Sequence, residues 1–265
     1  MPDAFYFGGA ARSLFGVLHE PAGGGEAGAV VMCAPLWREG IRAHRVLRQL
    51  GVRLAKAGHA VLRFDYSGAG DSAGESERGD VDAWLEDVGA AIDEARRRRA
   101  VAHVTLLGLR FGATLAALAA ARREDVERLV LWEPVVRGAE YLDASSADHR
   151  AWRERYAAWR RLRGAELSDA GDEILGFRVP EAMRASIAAV DLAALPRSAR
   201  RVLVVERAAP DAGGGLAVTL ASRGARVDHH VKAEPEIWKQ QESEAVAGAR
   251  ETLELVARWL AGGAP

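Results

Sequence analysis

Strands alternating with helices along the chain predict an α/β protein: a mostly parallel sheet covered by helices on both faces, with a helical block inserted late. Three observations carry this. Continuous apolar runs such as AVVMCA at 29–34 suit strands buried on both faces. Between the runs lie stretches whose apolar residues recur three and four apart, the mark of helices that bury one side. Repeated strand–helix–strand units imply right-handed crossovers within one sheet. A length of 265 residues accommodates one large domain of this kind with an insertion.

Residues 4–7 and 13–19 read as short strands split by the turn at Gly8 and Gly9, and Gly23, Gly24 and Gly25 mark a loop. The run at 29–34 is a strand ended by Pro35. A helix is expected from Ile41, with Val46, Leu47, Leu50 and Leu54 on one face and a stop at Gly58. Residues 59–64 form the next strand and 66–74 a glycine-rich loop. Val81, Trp84, Leu85, Val88 and Ile92 place an amphipathic helix over 79–99. A strand at 102–107 enters GLRFG, followed by an alanine-rich helix at 113–122 and a strand at 128–132. Residues 138–192 change character: Trp152, Tyr156, Trp159 and Leu162 line one helical face among many charges, and no strand-like run occurs. This block is expected to be a helical cap inserted into a core made of 1–137 and 193–265. The sheet pattern returns at 202–205, then a helix near 216–222, a strand at 225–231 and a terminal helix near 243–260. That last helix turns Val246, Ala249, Leu253, Val256 and Leu260 inward.

Composition excludes several classes. With 36 basic and 37 acidic residues the formal net charge is −1. Such a chain lacks the basic excess that neutralises phosphates, so no nucleic-acid partner is expected. A single cysteine, Cys33, fits a reducing cytoplasm. The first residues lack the charged start and apolar run of a signal peptide. No stretch reaches the roughly 18 apolar residues of a membrane helix, so neither a membrane partner nor export is expected. No cluster has metal-ligand spacing, and the glycines at 68 and 70 lack the full dinucleotide pattern G-x-G-x-x-G, so no cofactor is expected. Arg96 to Arg99 read as a solvated helix end; the alternative, a phosphate-binding patch, finds no aromatic or glycine-rich partner nearby. Oligomeric state is not readable from these features.

The segment LLGLRFGATLA at 106–116 reads as strand, tight turn and helix, with Gly108 and Gly112 each two positions from Arg110. This spacing resembles the nucleophile elbow G-x-S-x-G of the α/β-hydrolase superfamily, where small residues let a sharp turn present the central side chain above the sheet. The segment FDYSGAGDSAG at 64–74 resembles the superfamily's D-x-x-G-x-G-x-S stretch, and the strand ending at Pro35 precedes the usual oxyanion-hole loop. More closely, the chain is similar to hydrolase-like proteins found beside exosortase systems and to S33-type serine aminopeptidases. That likeness rests on the G-L-R-x-G-A turn and on a W-[DE]-P-V-x-x-G segment, here Trp132 to Gly138. The resemblance spans nearly the whole chain and implies an α/β-hydrolase fold with an inserted cap.

One departure governs the chemistry. The elbow position holds Arg110, a permanently charged group that only donates hydrogen bonds and cannot attack a carbonyl. The histidine of the pattern is missing too: the loop KAEPEIW at 232–238 offers Glu234 and Glu236 instead. His229 and His230 sit just upstream within a strand and must face opposite ways. Glu206 or Asp211 fills the acid position, but an acid without its base and nucleophile does nothing. Ordinary Ser-His-Asp hydrolysis is therefore not expected.

Arg110 at the start of a helix near Phe111 adds a cation to the positive helix end, and calls for an anion. Two compensators fit: Glu133, after the adjacent strand, in a bidentate pair, or a ligand carboxylate or phosphate held with the turn N–H groups. The loop PLWREGIRAHR at 35–45 places Glu39, Arg42 and His44 near the same mouth, or in a solvated first helical turn. His44 is the histidine considered for proton transfer. The candidate catalytic residues are thus Arg110, Glu133, Glu236, Glu39 and His44. Leu36, Trp37, Phe111 and Trp238 are candidates to contact a small-molecule or peptide ligand, with wall or lid packing the alternative for the two tryptophans. Asp65 is expected to hold its turn through backbone N–H groups, and Asp71 with Ser72 to act similarly. Three functions compete. The first is an enzyme of altered chemistry on an acyl, peptide or other carboxylate-bearing compound, with Glu39 or Glu236 as base. The second is a non-catalytic binding or scaffold protein. The third is a hydrolase whose nucleophile moved, for example to Ser67 or Ser72.

Overall fold

The chain opens with a hairpin, β1 (Asp3–Phe7) and β2 (Leu14–His19), and continues through β3 (Ala29–Cys33), α1 (Trp37–Lys56), β4 (Ala60–Phe64) and α2 (Val81–Arg99). Then follow β5 (Val104–Leu109), α3 (Phe111–Arg122), β6 (Val126–Trp132) and α4 (Gly138–Arg161). After β7 (Glu173–Ile174), β8 (Phe177–Arg178) and α5 (Glu181–Ala188), the sheet resumes with β9 (Arg201–Glu206), α6 (Gly215–Ser222), β10 (Arg226–Val231) and α7 (Arg250–Leu260). This computed structural model describes residues 2–9, 12–24, 28–161, 171–208, 215–239 and 248–262. Gly25, Asp211, Leu162, Val246 and the side chain of Trp159, all invoked above, lie outside what is described.

Eight strands join in one sheet in the order β1-β2-β4-β3-β5-β6-β9-β10. The pairs β1–β2 and β2–β4 are antiparallel and all others parallel. Alternation along each strand splits the core into two layers. Val30, Met32, Leu107, Leu109, Val130 and Leu203 pack under α1 and α7, against Leu47, Leu50, Leu253 and Val256. Val31, Leu106, Leu129 and Val202 face α2 and α3, against Val88, Ile92 and Leu115. Each fully buried aliphatic side chain contributes about 1.5–3 kcal/mol relative to exposure, so the central strands β3, β5 and β6 are the least deformable part of the molecule. Asp80 caps α2 by accepting from the Ala83 N–H at 2.8 Å. The basic run at the other end of α2 is ion-paired rather than merely solvated: Arg96 to Asp125, Arg97 to Glu94, Arg98 to Glu94 and Asp3, and Arg99 to Glu20.

Several expected boundaries shift, each for a local reason. Helix α1 starts at Trp37, not Ile41, and its Gly40 packs its backbone on the Pro35 carbonyl, where any Cβ would collide. Strand β5 runs two residues further, to Leu109, since its pairing with β6 continues to Trp132. The stretch between β6 and β9 does contain strands, the two-residue pair β7 and β8, too short to leave an alternating pattern. Within the described residues the terminal helix begins at Arg250; Ala249, Leu253, Val256 and Leu260 are buried as expected. The two ends of the stretch between β6 and β9 meet: Arg137 bridges Asp191, Gly138 N–H donates to Val190 O and Leu192 N–H to Val136 O. Among the described residues no helix is long and apolar enough to cross a membrane.

Candidate functional site

Three neighbouring parallel strands, β3, β5 and β6, each lead at the carboxyl end into a non-glycine residue with left-handed φ. These are Trp37 (φ 51°), Arg110 (φ 54°) and Glu133 (φ 48°). Such conformations cost of order 1–3 kcal/mol each and persist only where the surroundings over-determine them. Here the surroundings do. Arg110 N–H donates to Trp132 O, Glu133 N–H donates to Val205 O, and Arg110 O accepts from the N–H groups of Ala113 and Thr114. The β5–α3 turn is tight enough to need both of its glycines. A Cβ on Gly108 would strike the Ala113 backbone, and one on Gly112 the carbonyl oxygens of Cys33 and Ala34.

This turn throws the Arg110 side chain above the sheet. Its Nε donates to Glu39 Oε1 at 3.2 Å, while Glu39 Oε2 accepts from the Tyr141 hydroxyl at 3.2 Å. Both charged side chains are about one-fifth exposed (20% and 19%). The Arg110 guanidinium lies 5.0 Å from the Trp238 ring centroid and 5.9 Å from that of Tyr141. Trp37 stacks on Tyr141, and Phe111 packs between Tyr141 and Trp84. Charges about 4 Å apart attract by about 4 kcal/mol at an effective dielectric of about 20. Burial nonetheless wins over that attraction, and holds the Glu39 carboxyl above its ordinary range despite Arg110 and the two hydrogen bonds. The pair is thus not a source of net stability; it fixes the geometry of Arg110. Among the described residues, Nη1 and Nη2 of Arg110 have no hydrogen-bond partner, so the end of the guanidinium fork remains open.

Glu133 does not pair with Arg110; the internal partner is Glu39, 71 residues away in sequence. Among the described residues the buried Oε1 of Glu133 has no hydrogen-bond partner, and burial pushes its carboxyl up to about 7 against the pull of Arg110 and Arg207. The indole Nε1 of Trp238 is likewise buried and unpartnered, so two orphaned polar atoms flank the arginine. Leu36 (4% exposed) and Phe111 (0%) are sealed in the core and support the site from beneath, whereas Trp37 is half-buried at its rim. Glu236 is held by Arg207 and Lys239 at 3.4 and 3.2 Å. The loop that bears it is tied to α7 through Glu234, which accepts from the N–H groups of Glu251 and Thr252.

His44 points elsewhere. It is exposed, and its Nε2 faces Arg63 Nη1 at 3.3 Å. His229 contacts Glu206, its Nε2 2.8 Å from Oε2, on the two outermost parallel strands. Ser67 donates to Asp87 and Ser72 to the Asp65 carbonyl, both as turn-holding bonds. Asp65 accepts from Asp71 N–H as expected. Cys33 is buried beneath the β5–α3 turn and its thiol is pushed up to about 12. Thr114 donates to Val135 O at 2.7 Å. Sequence reasoning missed Tyr141, the residue that orients Glu39; its one signal was an aromatic beside Leu142 in the first turn of a charged helix.

A family model described as serine aminopeptidase, S33, matches residues 28–189. No curated protein matches. Among solved structures the chain resembles Est1E of Butyrivibrio proteoclasticus with bound ferulic acid (17% identity, 98% and 97% of the two chains, TM-score 0.63). It also resembles a proline iminopeptidase of Mycobacterium smegmatis (13%, 97% and 97%, 0.64) and an α/β serine hydrolase homologue of Coxiella burnetii (17%, 97% and 97%, 0.61). At such identities these likenesses establish the α/β-hydrolase fold alone.

Proposed function

The chain belongs to the S33 serine aminopeptidase family and has its hydrolase fold, and from that premise we propose that it binds an acyl, peptide or other carboxylate-bearing compound at Arg110. In this reading the β5–α3 turn is the family's nucleophile elbow, with an anion-binding cation where the attacking atom would stand. Residues 138–192 act as a cap above it. One observation carries the reading: Arg110, in a strained turn, commits only Nε to Glu39, and among the described residues neither of its Nη groups has a partner. Those two groups match a carboxylate end-on in a bidentate pair. Glu133, close to half-protonated at neutral pH, is the group able to take or return a proton beside the bound ligand. Glu39 is committed to orienting the arginine.

A non-catalytic binding role is the second reading, and a specific observation favours it. Hydroxyls and the thiol around the turn are engaged: Tyr141 with Glu39, Thr114 with Val135 O, and Cys33 held as a buried thiol. Calorimetry with acyl and peptide compounds bearing either a free carboxylate or its amide tests the shared premise. Binding of the carboxylate series alone, abolished in Arg110→Met, is expected; equal binding of the amides sinks the proposal. Turnover lost in Glu133→Gln with binding retained marks the enzyme, and binding without turnover marks the binder.

A further inference from the structure

Two basic residues of α1 follow a different rule from those of α2. Every arginine of the run Arg96 to Arg99 has a carboxylate partner. Helix α1 carries Arg38, Arg42, Arg45, Arg48, Arg53 and Lys56 against one acid, Glu39, and that acid is turned inward to Arg110. Arg45 and Arg48, one helical turn apart and both exposed, have no carboxylate partner among the described residues. Below them, Arg63 rises from β4 between two imidazoles. Its Nε donates to His19 Nε2 at 3.0 Å and its Nη1 lies 3.3 Å from His44 Nε2. A guanidinium has no acceptor, so His19 receives at Nε2 and is neutral, as its lowered pKa of about 4 demands. Arg63 therefore keeps its whole charge, half-buried. The His19 imidazole is pushed down to about 4, by burial first and then by the cations Arg63 and Arg48. Asp65 attracts Arg63 from a distance, but its Oδ2 is turned to the Asp71 N–H.

Arg63 reaches His44 and packs beside Gly51 on α1, and Arg48 lies between those two on the same helix, one turn beyond His44. Two guanidiniums on one patch, one of them half out of water, form an arrangement that an anion would stabilise. We infer that Arg63, Arg48 and His44 form a binding site for a phosphate-type oxyanion on the outer side of α1, separate from the Arg110 cleft. A tetrahedral dianion matches two guanidiniums in charge and meets donors from several directions, whereas a carboxylate balances only one of them. The site lies on a rigid frame: Gly51 lets His19 pack against α1, and Arg63 sits within a paired stretch of β4.

Thermal melting in increasing inorganic phosphate, against chloride at matched ionic strength, tests this. Wild type is expected to gain Tm with phosphate, as binding to the folded state demands. Arg48→Met and Arg63→Met each weaken the apparent affinity by about tenfold or more, the loss of one charge-assisted bond. Arg110→Met keeps the phosphate response, which separates this site from the cleft. Arg48 is exposed, so its variant decides the matter even if Arg63→Met, which also strips His19 of its donor, fails to fold. Co-sedimentation with vesicles containing phosphatidic acid distinguishes sources: pelleting that Arg48→Met abolishes assigns a headgroup phosphate, and a free-phosphate response without pelleting assigns a soluble compound. A wild type indifferent to phosphate and vesicles alike, or an Arg48→Met variant that responds as wild type does, overturns the inference.

Discussion

Removing either partner of the Arg110–Glu39 pair should cost more than removing both. Take Arg110→Met, Glu39→Gln and the double variant. Breaking a fully buried ion pair by deleting one partner costs about 3–5 kcal/mol, because the other charge stays buried and uncompensated. Here each side chain is about one-fifth exposed (20% and 19%), and Glu39 keeps the Tyr141 hydroxyl. Water access and that hydrogen bond reduce the expected single-variant cost to about 2 kcal/mol. For a chain of this length that is roughly 4–8 °C in Tm. In the double variant the amide introduced at position 39 retains an acceptor for the Tyr141 hydroxyl, and the thioether introduced at position 110 lies on Trp238 without a charge to solvate. Its stability should fall within about 1 kcal/mol of wild type, a coupling of about 3 kcal/mol or more against two single costs of about 2 kcal/mol each. Urea melts at neutral pH followed by tryptophan emission give all four corners, with Trp238 itself reporting on position 110. Additive single effects, with coupling below about 0.5 kcal/mol, would show that Arg110 and Glu39 act independently and would remove the reason for an open Nη edge.

Four further outcomes are expected. Gly112→Ala forces a methyl into the carbonyls of Cys33 and Ala34, and should cost about 3 kcal/mol or more, seen as a lower Tm or insoluble product. Gly89→Ala in α2, where a Cβ meets only Arg123 Nη1 at an ordinary 3.7 Å, should instead gain up to about 1 kcal/mol. Glu133 binds its proton more tightly folded than unfolded. Its contribution to stability is therefore complete below the ordinary carboxylate range and is lost as pH rises through about 7. Tm of wild type relative to Glu133→Gln should decline between pH 5 and pH 8 along that titration; a constant difference contradicts the burial argument. A fluorophosphonate probe should label neither Ser67 nor Ser72, whose hydroxyls are committed to Asp87 and to Asp65 O; adduct mass on either would revive a relocated nucleophile.

The sheet was legible because each central strand is apolar on both faces, a pattern local to five or six residues. The turn at Arg110 was legible for the same reason: Gly108 and Gly112 are required by contacts whose spacing is fixed within one segment. The partner of Arg110 was not. Glu133 follows the neighbouring strand and is the natural guess, but its left-handed φ directs the chain into contact with Val205 and leaves the carboxylate oxygen Oε1 unpaired among the described residues. Glu39 reaches Arg110 only because α1 begins four residues before its apolar periodicity starts, on a turn whose driver is the left-handed Trp37. Likewise His44 reads as a site residue from its place in the loop, yet on a helix that starts at Trp37 it falls on the outer face. Contacts set by backbone geometry at strand ends leave little trace in composition or period.

Those strand ends also argue for a site rather than a relic. At Trp37, Arg110 and Glu133 the left-handed backbone would cost less with glycine, the residue found at a dozen other positive-φ positions among the described residues. Three bulky or charged side chains stand at the costly positions instead, on adjacent strands. Two of the three flank an unsatisfied buried atom or an open donor pair. Glu133→Gly would relieve the strain at this φ and remove an Oε1 that has no partner among the described residues. In the proposed reading, a strained carboxylate beside a fixed guanidinium serves a third group bound between them.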